Sequence, residues 1–291
     1  MKKIFLVIAA MAVGVAFNSC KKKPGDTPTV TPKLIFKFKF DSTQQRLDNI
    51  GQPATVPSGH AAQSPKFNGM SAHYIELAPT PFIALGSGDV VYHAPETTLG
   101  GSTAIDFDSS IVAGDGEQFF SIPITSVTAG TYQYLRVSLA YQNYDVKVRY
   151  TSIDFTGTVA SFIGFNTYIR SFSPKTVAVT VNSNKAQGFW AFEAFSLVTQ
   201  GQAPAGATTV PNPIFATSPI PSGSCVVTGP FDGGSLIITG NETKDIIVTV
   251  SLSTNDSFEW IDNGDGIYEP DYGTDAVVDM GVRGLIPYIQ Y

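Results

Sequence analysis

This 291-residue chain has only two cysteines, three histidines and no uninterrupted apolar run longer than 14 residues. The longest run, Ile4–Phe17, would reach only about 21 Å as a helix, against a hydrocarbon core of about 30 Å, so a membrane-spanning helix is excluded. Of the two cysteines, Cys20 follows that run and Cys225 stands alone in the body, which must therefore fold without an internal disulfide. Cys225, in Ser224-Cys225-Val226-Val227, reads as a small apolar strand residue, with no local cations to make it a reactive thiolate. Positive charge is also scarce. The first 23 residues hold five of the 18 basic residues and none of the 24 acidic ones, so from Pro24 onward 13 basic face 24 acidic residues, a net charge of −11. Such a surface repels nucleic acid, and no basic stripe interrupts it, so DNA and RNA are excluded as partners. Gly-x-Ser-x-Gly, His-Glu-x-x-His and a glycine-rich phosphate loop are all missing, and no pair of carboxylates is singled out, so the chain is not expected to be an enzyme.

What is present is strand signal along the whole length. In Leu34–Phe40, residues Phe36, Phe38 and Phe40 share one face while Ile35, Lys37 and Lys39 share the other, the period of two that a half-buried strand requires. Further runs rich in β-branched and aromatic residues are Met70–Leu77, Val90–His93, Gln118–Ile124, Tyr132–Tyr141, Val146–Tyr150, Thr176–Val181 and Phe189–Phe195. Beyond these lie Cys225–Thr228, Leu236–Thr239, Ile246–Leu252, Phe258–Ile261 and Ala276–Met280. Asp41–Ile50 is the one stretch expected to make a turn or two of helix, and Gln200–Ser224, with five prolines, is expected to be a long loop. The expected fold is all-β: an antiparallel β-sandwich of Greek-key or jelly-roll type, built as one body or as two packed subdomains, 33–150 and 151–291.

The N-terminus carries a family resemblance. Met1-Lys2-Lys3, the apolar run and Phe17-Asn18-Ser19-Cys20 resemble the signal peptide and lipobox of bacterial lipoproteins, with Phe17 where Leu is usual, as in the loose lipoboxes of Bacteroidota. The resemblance implies cleavage after Ser19, a lipid on Cys20 and attachment to the membrane. Residues 20–32, with Lys21-Lys22-Lys23 and a Pro/Thr stretch, would then be a spacer whose lysines meet the headgroups. Lys21 is not the aspartate that retains some lipoproteins in the inner membrane, so the expected address is the outer membrane, on its periplasmic face.

A second resemblance covers residues 34–150. Ser71–Leu77, Val91-Tyr92-His93, Ala104–Asp108 and Ala129-Gly130-Thr131-Tyr132 are similar to the MbnP-like domain, found in periplasmic proteins associated with the copper-chelating peptide methanobactin. That family's copper site uses an oxidised tryptophan, whereas Trp190 and Trp260 here both lie outside the matched stretch. The expectation for function is a lipid-anchored extracytoplasmic binding or accessory protein with a protein or small-molecule partner at the outer membrane. The alternative is a copper-associated metal-handling protein.

Two clusters are candidate ion sites. In Glu259–Pro270 the run Asn263-Gly264-Asp265-Gly266 resembles the core of EF-hand-like calcium loops, with Asp262, Asn263, Asp265, the Ile267 carbonyl and Glu269 as calcium ligands. Positions 1 and 12 of such a loop would fall on Ile261 and Tyr272, and the competing reading is an Asx-rich turn held by its own side chains. The other cluster is His60, His73 and His93, with Met70 and Glu76 nearby. A hairpin connected through Pro79–Gly88 would set His73 almost opposite His93, a copper or zinc donor set. The competing reading is three unrelated imidazoles.

Overall fold

The computed structural model describes residues 31–48, 51–203, 224–271 and 275–291. The expected signal, Cys20 and the expected spacer up to Val30 lie outside the described residues, as does 204–223 of the expected proline-rich loop. Thr31–Tyr291 forms one contact unit. The fold is all-β, and no helix among the described residues is long and apolar enough to cross a membrane.

Strands are numbered in chain order. The first sheet runs β20-β17-β1-β7 (Leu285–Gln290, Ile246–Ser253, Lys33–Asp41, Gln118–Pro123). The second, of seven strands, runs β14-β13-β10-β9-β3-β4 (Leu197–Gln202, Phe189–Ala194, Ile153–Phe162, Tyr134–Tyr150, Lys66–Ala78, Asp89–His93), with β15 (Cys225–Pro230) beside the first part of β9. A third sheet runs β12-β11-β6-β5 (Val179–Ala186, Asn166–Phe172, Ala104–Asp106, Glu96–Thr97). Two small ones complete the set, β19-β18-β2 (Val277–Met280, Phe258–Ile261, His60–Gln63) and β16-β8 (Leu236–Ile238, Gly130–Tyr132). The ladders are antiparallel except β1 with β17 and β11 with β6, which are parallel.

The alternation in β1 does what its pattern demands. Leu34, Phe36 and Phe38 are buried against the second sheet beside Val248, Val250 and Leu252 of β17, and Phe40 is half-buried. Phe38 stacks on Phe119 at 4.4 Å, while Phe40, Phe67 and Tyr144 form an aromatic chain from the first sheet to the second. Burying each of these phenylalanines contributes about 1.5–3 kcal/mol, so this seam is the main clamp between the two sheets.

Several local expectations are corrected. Tyr132–Tyr141 and Val146–Tyr150 belong largely to one 17-residue strand, β9. The polar Gln142-Asn143-Tyr144-Asp145 separates the two runs in sequence, but the strand carries on through it because Asn143 and Asp145 find partners there. The Asn143 side-chain amide donates to the Pro174 carbonyl, and Asp145 accepts from the Thr158 hydroxyl. The described part of Asp41–Ile50 contains no helix, because Asp41 accepts the N–H groups of Thr43 and Gln44 and holds a bend instead. Gln200–Gln202 continues β14 rather than starting a loop. The 150/151 division falls in the two-residue turn of the β9–β10 hairpin, where Thr151 and Ser152 take positive φ (45° and 64°), and β1 pairs with β17 across it.

Candidate metal centre

The long hairpin β3–β4 forms as the spacing implied, with Pro79–Gly88 as its connection and Tyr74 directly opposite His93. Glu76 closes this connection. Its carboxylate is fully buried, accepts the N–H groups of Gly86 and Gly88 at 2.9 and 2.6 Å, and lies 3.6 Å from the Arg136 guanidinium. Arg136 in turn donates to the Ile83 carbonyl. Glu76 is thus committed to the loop, and Met70 to the core, where it exchanges backbone hydrogen bonds with Ala113.

His73 occupies a β-bulge. Against β9, Ser71 pairs with Tyr141, Ala72 with Leu139 and Tyr74 with Ser138, leaving His73 unpaired on β3 and Ala140 unpaired on β9. In a regular strand His73 and Tyr74 would point to opposite faces; the bulge re-aims the side chain, and both rings meet His93. His73 and His93 lie 5.3 Å apart between ring centroids, and Tyr74 stacks on His93 at 4.4 Å. Phe165 stacks on the His73 ring at 5.1 Å.

Glu96 completes the group. Pro95 offers no N–H to continue the β4 ladder, and the chain turns there into β5. This brings the Glu96 Oε1 to 2.9 Å from His73 Nε2 and 3.4 Å from His93 Nε2. The ligand atoms of His73, His93 and Glu96 lie within 4.8 Å of one another, the one such convergence of three His, Cys, Asp or Glu groups among the described residues. Two ligands each about 2.0–2.1 Å from a tetrahedral zinc ion are roughly 3.3 Å apart, which the 3.4 Å from His93 to Glu96 matches and the 2.9 Å hydrogen bond from His73 would reach by opening a few tenths of an ångström.

The electrostatics agree. His73 is fully buried, while His93 is 44% exposed at its side chain and Glu96 24%, so the cluster has a dry end and a wet end. Burial holds the His73 imidazole below its ordinary pKa, with Glu96 pulling it back up. The hydrogen bond with His73 holds the Glu96 carboxyl below the usual carboxylate range against the opposing effect of burial. His73 therefore tends to stay neutral and Glu96 ionised, the forms that bind metal. The His73 Nδ1 is buried with no hydrogen-bond partner.

His60 does not join this set. It lies on β2, which pairs with β18, and its Nδ1 sits 2.5 Å from Glu259 Oε1. Glu259 also accepts from Arg46 and lies 3.9 Å from Arg283, so His60 belongs to a charge network of the β19-β18-β2 sheet. Its place among the expected ligands is taken by Glu96, which is missed in sequence because it lies past Pro95, off the hairpin.

In the Asp262–Glu269 loop, the Asp262 carboxylate accepts the N–H groups of Gly264 and Gly266, Asn263 accepts that of Asp265, and Asp265 that of Ile267. The Glu269 carboxylate lies 3.9 Å from Arg149, and its N–H donates to Asp275. These are the bonds of a self-satisfied run of Asx turns. The tryptophans stand on other strands, Trp260 buried on β18 against Phe258 and Tyr268, and Trp190 half-buried on β13.

No protein-family model matches the chain, and no curated protein or solved structure matches it either.

Proposed function

We propose that this chain is a lipid-anchored, extracytoplasmic metal-binding protein that holds a borderline divalent ion, zinc or cupric copper, on His73, His93 and Glu96. The observation that carries the reading is the convergence of two imidazole nitrogens and one carboxylate oxygen at ligand spacing, with one imidazole inserted by a bulge and left dry. Two imidazoles and a hard carboxylate suit Zn²⁺ and Cu²⁺ better than the softer Cu⁺, which prefers sulfur ligands. With three protein ligands and an exposed edge at His93, a fourth position is left for water or an exchangeable partner, as in sites that pass metal on or act on a bound group. The role proposed is binding and handling rather than catalysis.

The resemblance of residues 34–150 to the MbnP-like domain suits a metal-handling reading, although that family's tryptophan-derived copper ligand has no counterpart in the matched stretch, so the ligand set proposed here rests on His73, His93 and Glu96 alone. The lipobox-like Phe17–Cys20 supports anchoring at the outer membrane. Elemental analysis of untagged protein tests the metal: wild type should carry up to one equivalent of zinc or copper, and His73→Ala, His93→Ala and Glu96→Gln should each lose most of it. Stoichiometric metal retained by all three variants overturns the site. Cell fractionation of Cys20→Ala tests the anchor separately: the variant should leave the membrane fraction, and unchanged retention after washing overturns lipidation.

A further inference from the structure

The seven-stranded sheet is wider than what covers its inner face. The first sheet and β18-β19 cover the part formed by β3 and β9. Over β10, β13 and β14 the face opens into a cleft of about 620 Å³. Its floor is Val148, Phe155, Phe192 and Trp190, and the opposing wall carries Tyr268 and Met280.

Two strand glycines shape this floor. Gly201 pairs with Trp190 across β13 and β14, and a Cβ there would stand 2.3 Å from the indole Cζ2. Gly157 of β10 does the same for Phe192, with a Cβ 2.1 Å from the ring Cζ. A glycine inside a strand is disfavoured relative to alanine, because it gives up more backbone freedom on folding. Here each glycine lets an aromatic ring lie over bare backbone, so two aromatic rings lie low along the sheet, lining the cleft. The other face of the same strands is closed, with Phe162, Phe189 and Ala191 packed on Ile169, Phe172 and Val179 of the third sheet.

Charge narrows the occupant. The polar side chains of the lining are Tyr150, Thr199, Gln202, Tyr268, Asp275 and Asp279, and no lysine, arginine or histidine is among its described residues. A fatty acid or other anion would find no counter-ion in the lining, and Arg283, which reaches Asp279 from outside it, is already paired with that carboxylate at 2.6 Å. We propose that this cleft is a second binding site, independent of the metal centre, for a neutral, ring-bearing apolar small molecule lying against Trp190 and Phe192.

The test uses the full chain carrying Cys20→Ala, purified without detergent, with N-phenyl-1-naphthylamine as a neutral probe and laurate as an anionic one. Naphthylamine fluorescence should rise with saturable, one-to-one binding, and energy transfer from tryptophan should fall in Trp190→Phe, with Trp260, packed behind Tyr268, supplying what is left. Trp190→Ala should weaken binding at least fivefold. Thr199→Arg, on the exposed rim, should leave folding intact while bringing laurate binding to within a few-fold of the neutral probe. Circular dichroism of each variant separates lost folding from lost binding. The proposal is overturned if the neutral probe does not bind the folded protein, which would mean the cleft is filled by the chain itself. It is equally overturned if binding survives Trp190→Ala unchanged, or if laurate binds wild type as tightly as the neutral probe.

Discussion

Replacing His73 by phenylalanine separates a metal ligand from a structural histidine. The substitution keeps a ring of similar shape in the bulge, where Phe165 and Tyr74 hold it at 5.1 and 4.3 Å. Without metal, the wild-type imidazole has one buried nitrogen without a partner, a cost of about 1–3 kcal/mol, and one hydrogen bond to an ionised carboxylate, a gain of about 1.5–3 kcal/mol. These nearly cancel. The metal-free variant should therefore lie within roughly 1.5 kcal/mol of wild type, the part of the balance that Glu96, 24% exposed, recovers through water. With metal the two proteins diverge. A ligand at 100 times its Kd stabilises by about 2.7 kcal/mol, and for a body of this size each kcal/mol moves Tm by about 2–4 °C, so wild type should gain about 5–10 °C on zinc addition. His73→Phe should gain nothing. Scanning calorimetry of both proteins, chelated and zinc-loaded, reads all four values. A metal-free variant destabilised by 3 kcal/mol or more would make His73 a structural residue, and a zinc shift that persists in the variant would refute the site outright.

Acid should act through Glu193, a buried carboxylate. Burial favours its neutral form, but the Thr176 hydroxyl and the N–H groups of Val177, Thr176 and Lys175 overcome this and hold it below the ordinary carboxylate range. A depressed acid contributes its full stability above the unfolded value of about 4.3 and loses it as pH falls through the folded one. Urea titrations of Glu193→Gln should thus show about 1–3 kcal/mol lost at pH 7 and a smaller loss below pH 4 than wild type shows. Burial pushes the Cys225 thiol up to about 12, so a maleimide should modify the native protein at pH 8 at least tenfold more slowly than the urea-unfolded chain. Phe38→Ala removes a fully buried ring stacked on Phe119 and should cost about 3–5 kcal/mol by denaturant unfolding. Gly201→Ala should lift the Trp190 indole into the cleft, weakening the neutral probe while costing the body little, because the ring faces open space.

How well each strand could be read from sequence depends on how many of its faces are buried. β1 shows a clean period of two because one face meets the core and the other does not. β10 shows no period of two because its second half, Gly157–Phe162, is buried throughout. Val159 joins the main core and its neighbour Ala160 joins the cluster with Phe162 and Phe189, so apolar and small residues run on without alternation. β20 is hidden by Pro287, which a central strand could not carry; it sits at the edge of its sheet, where the missing N–H removes no necessary bond. In each case the obstacle is a neighbour supplied by a distant part of the chain.

The candidate site divides along the same line. His73 and His93 are brought together by a hairpin whose two strands are consecutive, so their pairing follows from local spacing. Glu96 and His60 depend on events that spacing does not encode. A proline three residues before Thr98 breaks the ladder and folds Glu96 back over the imidazoles, and β18, some 200 residues downstream, captures β2 and gives His60 to Glu259. The bulge is the decisive element. Without it, His73 and Tyr74 would alternate across the sheet, and only one of them could reach His93. Ser71 opposite Tyr141 and Tyr74 opposite Ser138 keep one register on both sides of the irregularity, so deleting Ala72 should slip the pairs on one side by a residue, turn the His73 ring away from Glu96 and abolish zinc binding, while far-ultraviolet circular dichroism still reports an all-β body. Zinc affinity unchanged by that deletion would show that the bulge does not place the ligand.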